Sequence, residues 1–441
     1  MSLQKLWNRL ILMVLLPMTL WLWSESVGWP NSVQAKEEEA AAKAGEVIVK
    51  LNPAANVTID DINAAYGTVT LKTLLRLSGI YLLQTPPGQE AKDVVDAMET
   101  DTRLLFAELN FINGAPEANP RRSGGWGGQD NTPYPQQYAV ELLNLARAQA
   151  ISHGAGTVVA VLDTGVQLDH PALVASLTDT GYDFVDDDST PNDEFGGVDD
   201  NGNLLHPDEL GGHGTHVAGI IHLVAPESKI MPLRVLDRNG FGNVFTLAEA
   251  IIYAVEHDAH VLNLSLGQPE KSELLKEAIR EATLNGAVVV AAAGNLNSEA
   301  EQYPGATKCA LAITSVGPEH KKSDFANFGG WVAFAAPGEG IYSTFAASGY
   351  ATWSGTSMAA PFAAGQAALI HSAAPSLNAR QVAMLIGGTG QSLDEMNPDF
   401  KGRLGRGLLD IGASLERLQS GDLPDKGQGL MGASCVANNA D

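Results

Sequence analysis

The segment TVVAVLDTG, residues 157–165, decides the fold class of this chain. It is a continuous apolar run that ends at Asp163, and similar runs follow in KIMPLRVL (229–236), AHVLNLSLG (259–267) and AVVVAAAGN (287–295). Segments with helical periodicity separate them, such as LAEAIIYAVEHD (247–258) and ELLKEAIREATLNG (273–286). This alternation is typical of a parallel sheet with helices on both faces. We therefore predict an α/β domain with a doubly wound, mostly parallel sheet.

A smaller unit precedes this domain and has a different order of elements. Its pattern indicates strand, helix, strand, strand, helix and strand, starting with EVIVKL (46–51) and ending with LLFAELNF (104–111). Thr58 and Asp61 have the spacing of a helix capping box, and QEAKDVVDAMET (89–100) has apolar residues at helical intervals. The order predicts a small α+β domain with the ferredoxin-like βαββαβ fold.

The remaining segments are assigned from composition. Lys5 and Arg9 precede an apolar run, and SVQA ends at Ala35 with the small residues that a signal peptidase requires. The uncharged stretch before Glu25 is shorter than the about 20 residues that span a membrane, so we favour a cleaved signal peptide over an anchor. We predict a signal peptide at 1–35, the βαββαβ domain at 36–112, an exposed linker at 113–133, the α/β domain at 134–418 and a disordered tail at 419–441.

Charge and cysteine content narrow the functional classes. The formal net charge is −24, which argues against nucleic-acid binding because a polyanion is repelled. The two cysteines, Cys309 and Cys435, exclude a disulfide framework. We expect Cys309 to be simply buried in a strand; a single bridge between the two is the alternative.

Four polar residues follow strands or begin helices in the predicted sheet. Asp163 and Asn295 each end an apolar strand, whereas His213 and Ser357 stand where helices begin. A serine hydroxyl needs a base within hydrogen-bond reach, and a histidine held by a carboxylate can be that base. Each residue taken alone is equally compatible with a structural role, but the four together indicate nucleophilic catalysis.

The motifs around these residues resemble those of the subtilisin-like serine peptidases. They are VLDTGV (161–166), GGHGTHVAG (211–219), AAAGN (291–295) and SGTSMAAP (354–361), and the similar element order runs from Tyr134 to Leu418. The resemblance implies that Ser357 attacks the scissile carbonyl, that His213 carries its proton and that Asp163 orients His213. It also implies that Asn295 stabilises the oxyanion.

The same resemblance implies a substrate cleft and a precursor. Ser265, Leu266 and Gly267 would form one wall of the pocket beside the cleaved bond, and Ala293 and Gly294 the other. Gln302 stands where the family often has a small residue at the pocket base. Small walls favour a large apolar side chain in the substrate. The βαββαβ domain is similar to the family's pro-domain, so we expect self-cleavage between Ile112 and Pro135.

No cofactor is required for this chemistry, and three candidate metal sites in the sequence differ in how well their residues suit a metal. Ala172 replaces a calcium-binding aspartate of many relatives and the loop after HVAGII is short, so that calcium site is expected to be absent. The acidic stretch from Asp183 to Glu209, with DDNGN at 199–203, suits calcium or is simply a solvated loop. The His213 and His216 spacing lacks the glutamate of a zinc peptidase motif, so His216 is interpreted as a packing residue.

The sequence therefore predicts a secreted serine endopeptidase made as a self-processing zymogen. Its partners would be polypeptide substrates and its own pro-domain, with no nucleic acid and no stable membrane span. A catalytically silent or specialised relative, which binds polypeptides or matures one partner, is the alternative because residue identity does not establish geometry.

Overall fold

The computed structural model describes residues 41–118, 125–197 and 210–423. The N-terminal part contains β1 (Ala42–Leu51), α1 (Ile59–Tyr66), β2 (Val69–Leu74), β3 (Ile80–Gln84), α2 (Ala91–Met98) and β4 (Leu104–Gly114). The four strands form an antiparallel sheet in the order β2-β3-β1-β4. The predicted βαββαβ fold is confirmed.

Local sequence accounts for the two helices of this domain. Thr58 and Asp61 form the predicted capping box at the start of α1, with the Thr58 N–H donating to Asp61 Oδ2 over 2.8 Å. Helix α2 buries one stripe of apolar residues, including Val94, Val95 and Met98, against the sheet. The domain therefore has its own small hydrophobic core.

The C-terminal part begins with β5 (Gly125–Gly128), α3 (Tyr138–Leu142), α4 (Leu145–Gln149), β6 (Val158–Asp163), β7 (Tyr182–Asp183), α5 (His213–Val224), β8 (Lys229–Arg234), β9 (Phe241–Asn243), α6 (Val244–Glu256) and β10 (Val261–Leu264). It continues with α7 (Glu273–Leu284), β11 (Val288–Ala292), β12 (Ala310–Val316), β13 (Phe334–Pro337), β14 (Ile341–Phe345), β15 (Gly349–Trp353), α8 (Thr356–Ala373), α9 (Ala379–Gly387) and α10 (Ile411–Gln419). Short 3-10 helices cover Pro53–Ala55, Tyr134–Gln136 and Pro398–Phe400.

A seven-stranded parallel sheet is the centre of this part, with the order β13-β12-β11-β10-β6-β8-β7. Its strands are almost completely buried, which explains their unbroken apolar sequences. Helices α5 and α8 pack against each other, and α6 packs against α7. The predicted α/β class is confirmed, and the sheet brings the ends of β6, β10 and β11 side by side.

The two parts are joined through β4. This strand pairs with β9 of the C-terminal part, so the small sheet gains a fifth strand. Glu108 on β4 accepts hydrogen bonds from the backbone N–H groups of Glu273 and Leu274 at the start of α7, over 2.8 and 3.1 Å. Across the interface, Lys50 Nζ lies 2.6 Å from Glu277 Oε2. The N-terminal domain is therefore docked on α6, α7 and β9.

Two expectations from the sequence need correction. The predicted exposed linker is wrong at its start, because Ala115 and Glu117 are buried, and β5 within it pairs with β15.

The preference for a free Cys309 is also wrong, because this buried cysteine is disulfide-bonded; Cys435 lies outside the described residues. The predicted signal peptide and residues 424–441 of the predicted tail also lie outside them. Among the described helices, none is long and apolar enough to cross a membrane.

Candidate active site

His213 and Asp163 form the first part of the site. Asp163 is the last residue of β6 and His213 the first residue of α5, and both side chains are fully buried. His213 Nδ1 donates to Asp163 Oδ1 over 2.7 Å, and the rings of His213 and Trp353 form a T-shaped contact with centroids 5.2 Å apart. The hydrogen bond fixes the orientation of the ring and leaves Nε2 facing away from Asp163.

A buried carboxylate, Asp193, holds the start of α5. Its Oδ1 accepts from the Gly212 N–H and from the Thr164 hydroxyl, and its Oδ2 accepts from the N–H and the hydroxyl of Thr215. Burial raises the pKa of Asp193 to about 7 despite these bonds. Gly212 has a φ of 94°, a conformation that strongly favours glycine, so the chain can turn sharply into the helix at His213.

Ser357 and Asn295 form the second part of the site. Ser357 lies in the first turn of α8, and Asn295 follows the end of β11. Asn295 Oδ1 accepts from the N–H and the hydroxyl of Thr356, each over 3.0 Å, which leaves its Nδ2 free to donate into the site. The structure thus brings the four residues predicted from the sequence to one place.

Glu117 occupies the point on which these residues converge, and sequence reasoning missed it. Its Oε2 accepts from Ser357 Oγ over 2.6 Å and from His213 Nε2 over 3.2 Å. Its Oε1 accepts from Asn295 Nδ2 over 2.8 Å. A carboxylate from the N-terminal part of the chain therefore lies between the serine and the histidine.

The charges in the site stabilise one another. Burial disfavours the charged form of His213, but the carboxylates of Asp163 and Glu117 outweigh it and raise the pKa of His213 to about 10. Burial likewise opposes the charged form of Glu117, yet the hydrogen bonds from His213, Ser357 and Asn295 lower its pKa below the ordinary value. The protonated form of His213 is thus favoured by hydrogen-bonded side chains on both of its ring nitrogens.

A tight turn brings Glu117 into the site. The Ala118 N–H donates to the carbonyl of Ala115 over 2.8 Å, which places Pro116 and Glu117 at the middle of the turn. Proline favours the first of these two positions because its φ is already fixed. At Gly355, a Cβ atom would overlap Glu117 Oε1, so the missing side chain leaves room for the carboxylate. Pro116 is the sequence signal that could have indicated this turn.

Comparison with known proteins identifies the family. The subtilase family matches residues 154–407, and the fervidolysin N-terminal prodomain matches residues 29–110. The chain belongs to the subtilase family. It is a serine peptidase with an N-terminal prodomain.

Individual relatives agree with this assignment. Thermitase from Thermoactinomyces vulgaris is 41% identical over 254 residues, which cover 55% of this chain and 85% of thermitase. The thermophilic serine proteinase of Bacillus sp. (strain AK1) is 34% identical over 367 residues, covering 79% and 83% of the two chains. The crystal structure of fervidolysin from Fervidobacterium pennivorans, a keratinolytic enzyme, superposes with a TM-score of 0.70 at 23% identity over 86% of this chain. This chain spans 62% of that fervidolysin chain, and the likeness shows the fold.

The end of the prodomain sheet lies in the cleft predicted for substrate. Gly114 at the end of β4 exchanges two backbone hydrogen bonds with Gly267, of 3.0 and 2.8 Å. On the other side the N–H of Ala115 donates to the carbonyl of Gly240 over 2.9 Å. The chain leading to Glu117 is therefore held as an additional strand between two segments of the peptidase domain.

The predicted pocket walls are also near one another. Ser265 and Leu266 are fully buried after β10, and Ala293 and Gly294 follow β11. The side chain of Gln302 lies against Gly294, where an added Cβ would be 3.1 Å from Gln302 Cγ, and is 9% exposed. Gln302 therefore lies between the two walls.

Asn327 is a second residue that sequence reasoning missed. Its Oδ1 accepts from the N–H of Leu296 over 2.9 Å, and its Nδ2 donates to the carbonyl of Ala293 over 2.9 Å. The side chain is fully buried. It thus holds the backbone on both sides of Asn295.

His216 and two of the acidic residues considered as metal ligands, Asp183 and Asp186, make contacts within the protein. His216 Nε2 lies 3.1 Å from the carbonyls of Ile341 and Ala351, and burial lowers the pKa of His216 to about 3. Arg234 Nη1 contacts Asp183 over 2.7 Å and Asp186 over 2.5 Å, so these carboxylates already have a cation.

No group of three or more His, Cys, Asp or Glu residues suited to a metal occurs in the described part of the chain. The rest of the acidic candidate, residues 198–209 with DDNGN, lies outside the described residues.

Proposed function

We propose that this chain is the precursor of a secreted serine endopeptidase that acts through Asp163, His213 and Ser357 and processes itself. The observation that carries the proposal is the convergence on one carboxylate. One oxygen of Glu117 meets Asn295, and the other meets both Ser357 and His213. A catalytic serine, its base and an oxyanion donor must surround a reacting carbonyl in the same way.

The proposed mechanism assigns each residue a task. Once the Glu117 carboxylate has left, His213 loses its Nε2 proton to solvent, and the neutral Nε2 takes the proton of Ser357 Oγ as this oxygen attacks the scissile carbonyl. The imidazolium then gives the proton to the leaving amine, so that the C–N bond breaks and an acyl-enzyme forms, which water hydrolyses with His213 again as the base. Asp163 holds the Nδ1–H and stabilises the imidazolium that results. Asn295 Nδ2 stabilises the oxyanion, and the backbone N–H of Ser357 does so as well because it lies at the start of α8.

The substrate would bind as an extended strand. Gly114 already pairs with Gly267 in this manner, and a substrate peptide can make the same backbone hydrogen bonds after the prodomain is released. Backbone pairing supplies affinity with little sequence selectivity, so the side chain between the two pocket walls sets the preference. We propose large apolar side chains there, limited in depth by Gln302. Equal cleavage after Lys and Phe in a peptide panel would contradict this preference.

The proposal is tested by labelling with a serine-reactive fluorophosphonate. The processed wild-type protein should be labelled, and Ser357→Ala should not. Ser372→Ala is the matched control, because the Ser372 hydroxyl donates to the carbonyl of Ala155 and is half-buried, away from the catalytic groups. If processed, folded wild-type protein fails to react, the chain is a catalytically silent relative.

Self-processing has its own test. Mass spectrometry of the Ser357→Ala chain should show the prodomain still attached, whereas the wild-type chain should be cut between Ile112 and Pro135. Complete processing of Ser357→Ala would show that another protease makes the cut. We further propose that the prodomain comprises residues 36–112, the segment with the processing site residues 113–133, and the peptidase domain residues 134–418. The cleavage site found would refine the boundary between prodomain and peptidase domain.

Secretion and calcium binding complete the proposal. A signal peptide at 1–35 predicts export with cleavage after Ala35, which N-terminal sequencing of the exported protein would detect. We propose calcium for the acidic stretch from Asp183 to Glu209, with residues 199–203 as the candidate ligands, since Asp183 and Asp186 pair with Arg234. An unchanged melting temperature in the presence of a chelator would contradict a stabilising calcium site.

A further inference from the structure

The catalytic centre has the features of a carboxylate-binding site. The carboxylate of Glu117 receives three hydrogen bonds, from Asn295, Ser357 and His213, and is shielded completely from solvent. Hydrogen bonds in which an ionised group takes part are about twice as strong as those between neutral groups. The site thus holds a planar carboxylate through three hydrogen bonds, and this group is a side chain rather than a peptide carbonyl.

The Glu117 side chain and a substrate cannot bind together. Glu117 Oε1 lies where Asn295 would stabilise an oxyanion, and Oε2 lies between the serine and its base. The carboxylate is also closely packed, since a Cβ atom on Gly355 would overlap Oε1. A scissile carbonyl therefore reaches Ser357 only after Glu117 withdraws.

We propose that Glu117 is an internal inhibitor of the precursor, whose side-chain carboxylate occupies the oxyanion site and separates His213 from Ser357. This inference rests on the proposed function, because it assigns a specific ligand to the proposed catalytic centre. It differs from simple coverage of the cleft by a prodomain, in which the backbone alone excludes substrate. Here one carboxylate is bound by the catalytic groups themselves, and its withdrawal precedes self-cleavage.

The tether makes this contact effective. Glu117 follows β4, which pairs with β9, and Gly114, which pairs with Gly267. The carboxylate is thus presented at a high local concentration, as in any linked pair of binding elements. Removal of its charge should weaken the contact by about 10- to 100-fold, the range expected for hydrogen bonds to a charged group.

The test compares precursor and processed forms of the full-length chain in one reaction. Samples taken during self-processing are pulsed with a fluorophosphonate at neutral pH, and a denaturing gel separates the two forms. The wild-type precursor should react about 10- to 100-fold more slowly than the processed enzyme. The Glu117→Ala precursor should approach the rate of the processed enzyme, and Glu117→Gln, which keeps the shape without the charge, should lie between.

Glu46→Gln is the matched control, because Glu46 is a carboxylate of the same domain that accepts from Asn110 and not from the catalytic groups. Its precursor should react like wild type. If both Glu117 variants keep the slow wild-type rate while the processed enzyme reacts, the inference is overturned and the proposed function stands. If the processed wild-type enzyme itself does not react, the proposed function fails. Glu117→Gln guards against misfolding because it preserves the volume of the side chain.

Discussion

Two carboxylates contact the same imidazole from opposite sides, and they come from different regions of the molecule. Asp163 ends a central strand of the peptidase sheet and accepts from Nδ1 of His213. Glu117 belongs to the turn after the prodomain sheet and accepts from Nε2. Both favour the protonated ring, but Asp163 leaves Nε2 on the side of Ser357, whereas Glu117 occupies it. In the proposed mechanism, the nitrogen contacted, rather than the charge supplied, therefore separates activation from inhibition.

The largest expected effect comes from the carboxylate on Nδ1. Asp163→Asn keeps the volume of the side chain but favours the wrong tautomer of His213, so self-processing should slow by about 10⁴-fold. The measurement is the first-order rate at which the processed band appears. Asp169→Asn, a change at an exposed carboxylate nearby, should process at the wild-type rate. Because removal of the Glu117 carboxylate should accelerate precursor reactivity, two chemically similar changes are expected to act in opposite directions.

The oxyanion donor should have the next largest effect. Asn295→Ala removes a hydrogen bond that matters most in the transition state, so kcat of the processed enzyme on a peptide substrate should fall by about 100- to 1,000-fold. KM should change little. Asn285→Ala, at the exposed end of α7, is the control and should leave kcat unchanged. A loss expressed mainly in KM would mean that Asn295 binds the ground state instead.

The pH dependence of the precursor distinguishes the two carboxylates further. The pKa of His213 is raised to about 10, so its pairing with Glu117 is complete at mildly acidic and neutral pH and is lost as the pH rises through about 10. The pKa of Glu117 is lowered, so the pairing is lost through protonation of this carboxylate only in acid. Fluorophosphonate labelling of the wild-type precursor should therefore increase about 10- to 100-fold from neutral pH to about pH 10.

Other titrating groups near His213 define the control for this experiment. Asp163 contacts its Nδ1, Asp193 holds the start of its helix with a pKa near 7, and the pKa of His216 is lowered to about 3, where the ring stays neutral. These groups are the same in Glu117→Gln, whose labelling should already be fast at neutral pH and rise less. A rise of equal size in both precursors would assign the effect to these groups instead.

Asn327 provides a smaller test of how the oxyanion donor is positioned. Asn327→Ala removes hydrogen bonds to the backbone of Leu296 and Ala293, so Asn295 should lose its exact position and kcat should fall by about tenfold or more. KM should remain near the wild-type value. Asn327→Asp keeps the accepting oxygen and should recover part of kcat. If thermal stability falls but kcat does not, Asn327 acts only on the fold.

The sequence predicted the peptidase side of this comparison well and the prodomain tail poorly. Asp163, His213, Asn295 and Ser357 each stand at a strand end or helix start, so the predicted parallel sheet already implied that they converge. Glu117 lies 240 residues before Ser357 in a segment interpreted as an exposed linker. No local pattern encodes a contact made through the docking of two domains. Asn327 was missed for a related reason, since its role depends on backbone groups about 30 residues earlier, which have no side-chain signature.

The smallest expected effect concerns the docking of the prodomain away from the catalytic centre. Glu108 caps α7 through Glu273, Leu274 and the hydroxyl of Ser272. Burial raises the pKa of Glu108 in spite of these bonds, so the ionised carboxylate is costly to bury. A glutamine at this position loses some of the hydrogen bonding, but it avoids the cost of burying a charge, and the net destabilisation should therefore be small. In the Ser357→Ala background, Glu108→Gln should lower the free energy of unfolding by about 1 kcal/mol.

Urea denaturation measures this change, and Glu99→Gln, at an exposed carboxylate of the same domain, should shift it by less than about 0.5 kcal/mol. In the otherwise wild-type chain, the Glu108→Gln precursor should still react slowly with a fluorophosphonate, because Glu117 and the pairing of Gly114 with Gly267 are intact. Fast reaction would mean that docking through β4, rather than the carboxylate at His213 Nε2, keeps the precursor inactive. Slow reaction together with lowered stability would separate the two contributions. Docking through Glu108 would then anchor the prodomain, and the Glu117 carboxylate would block Ser357.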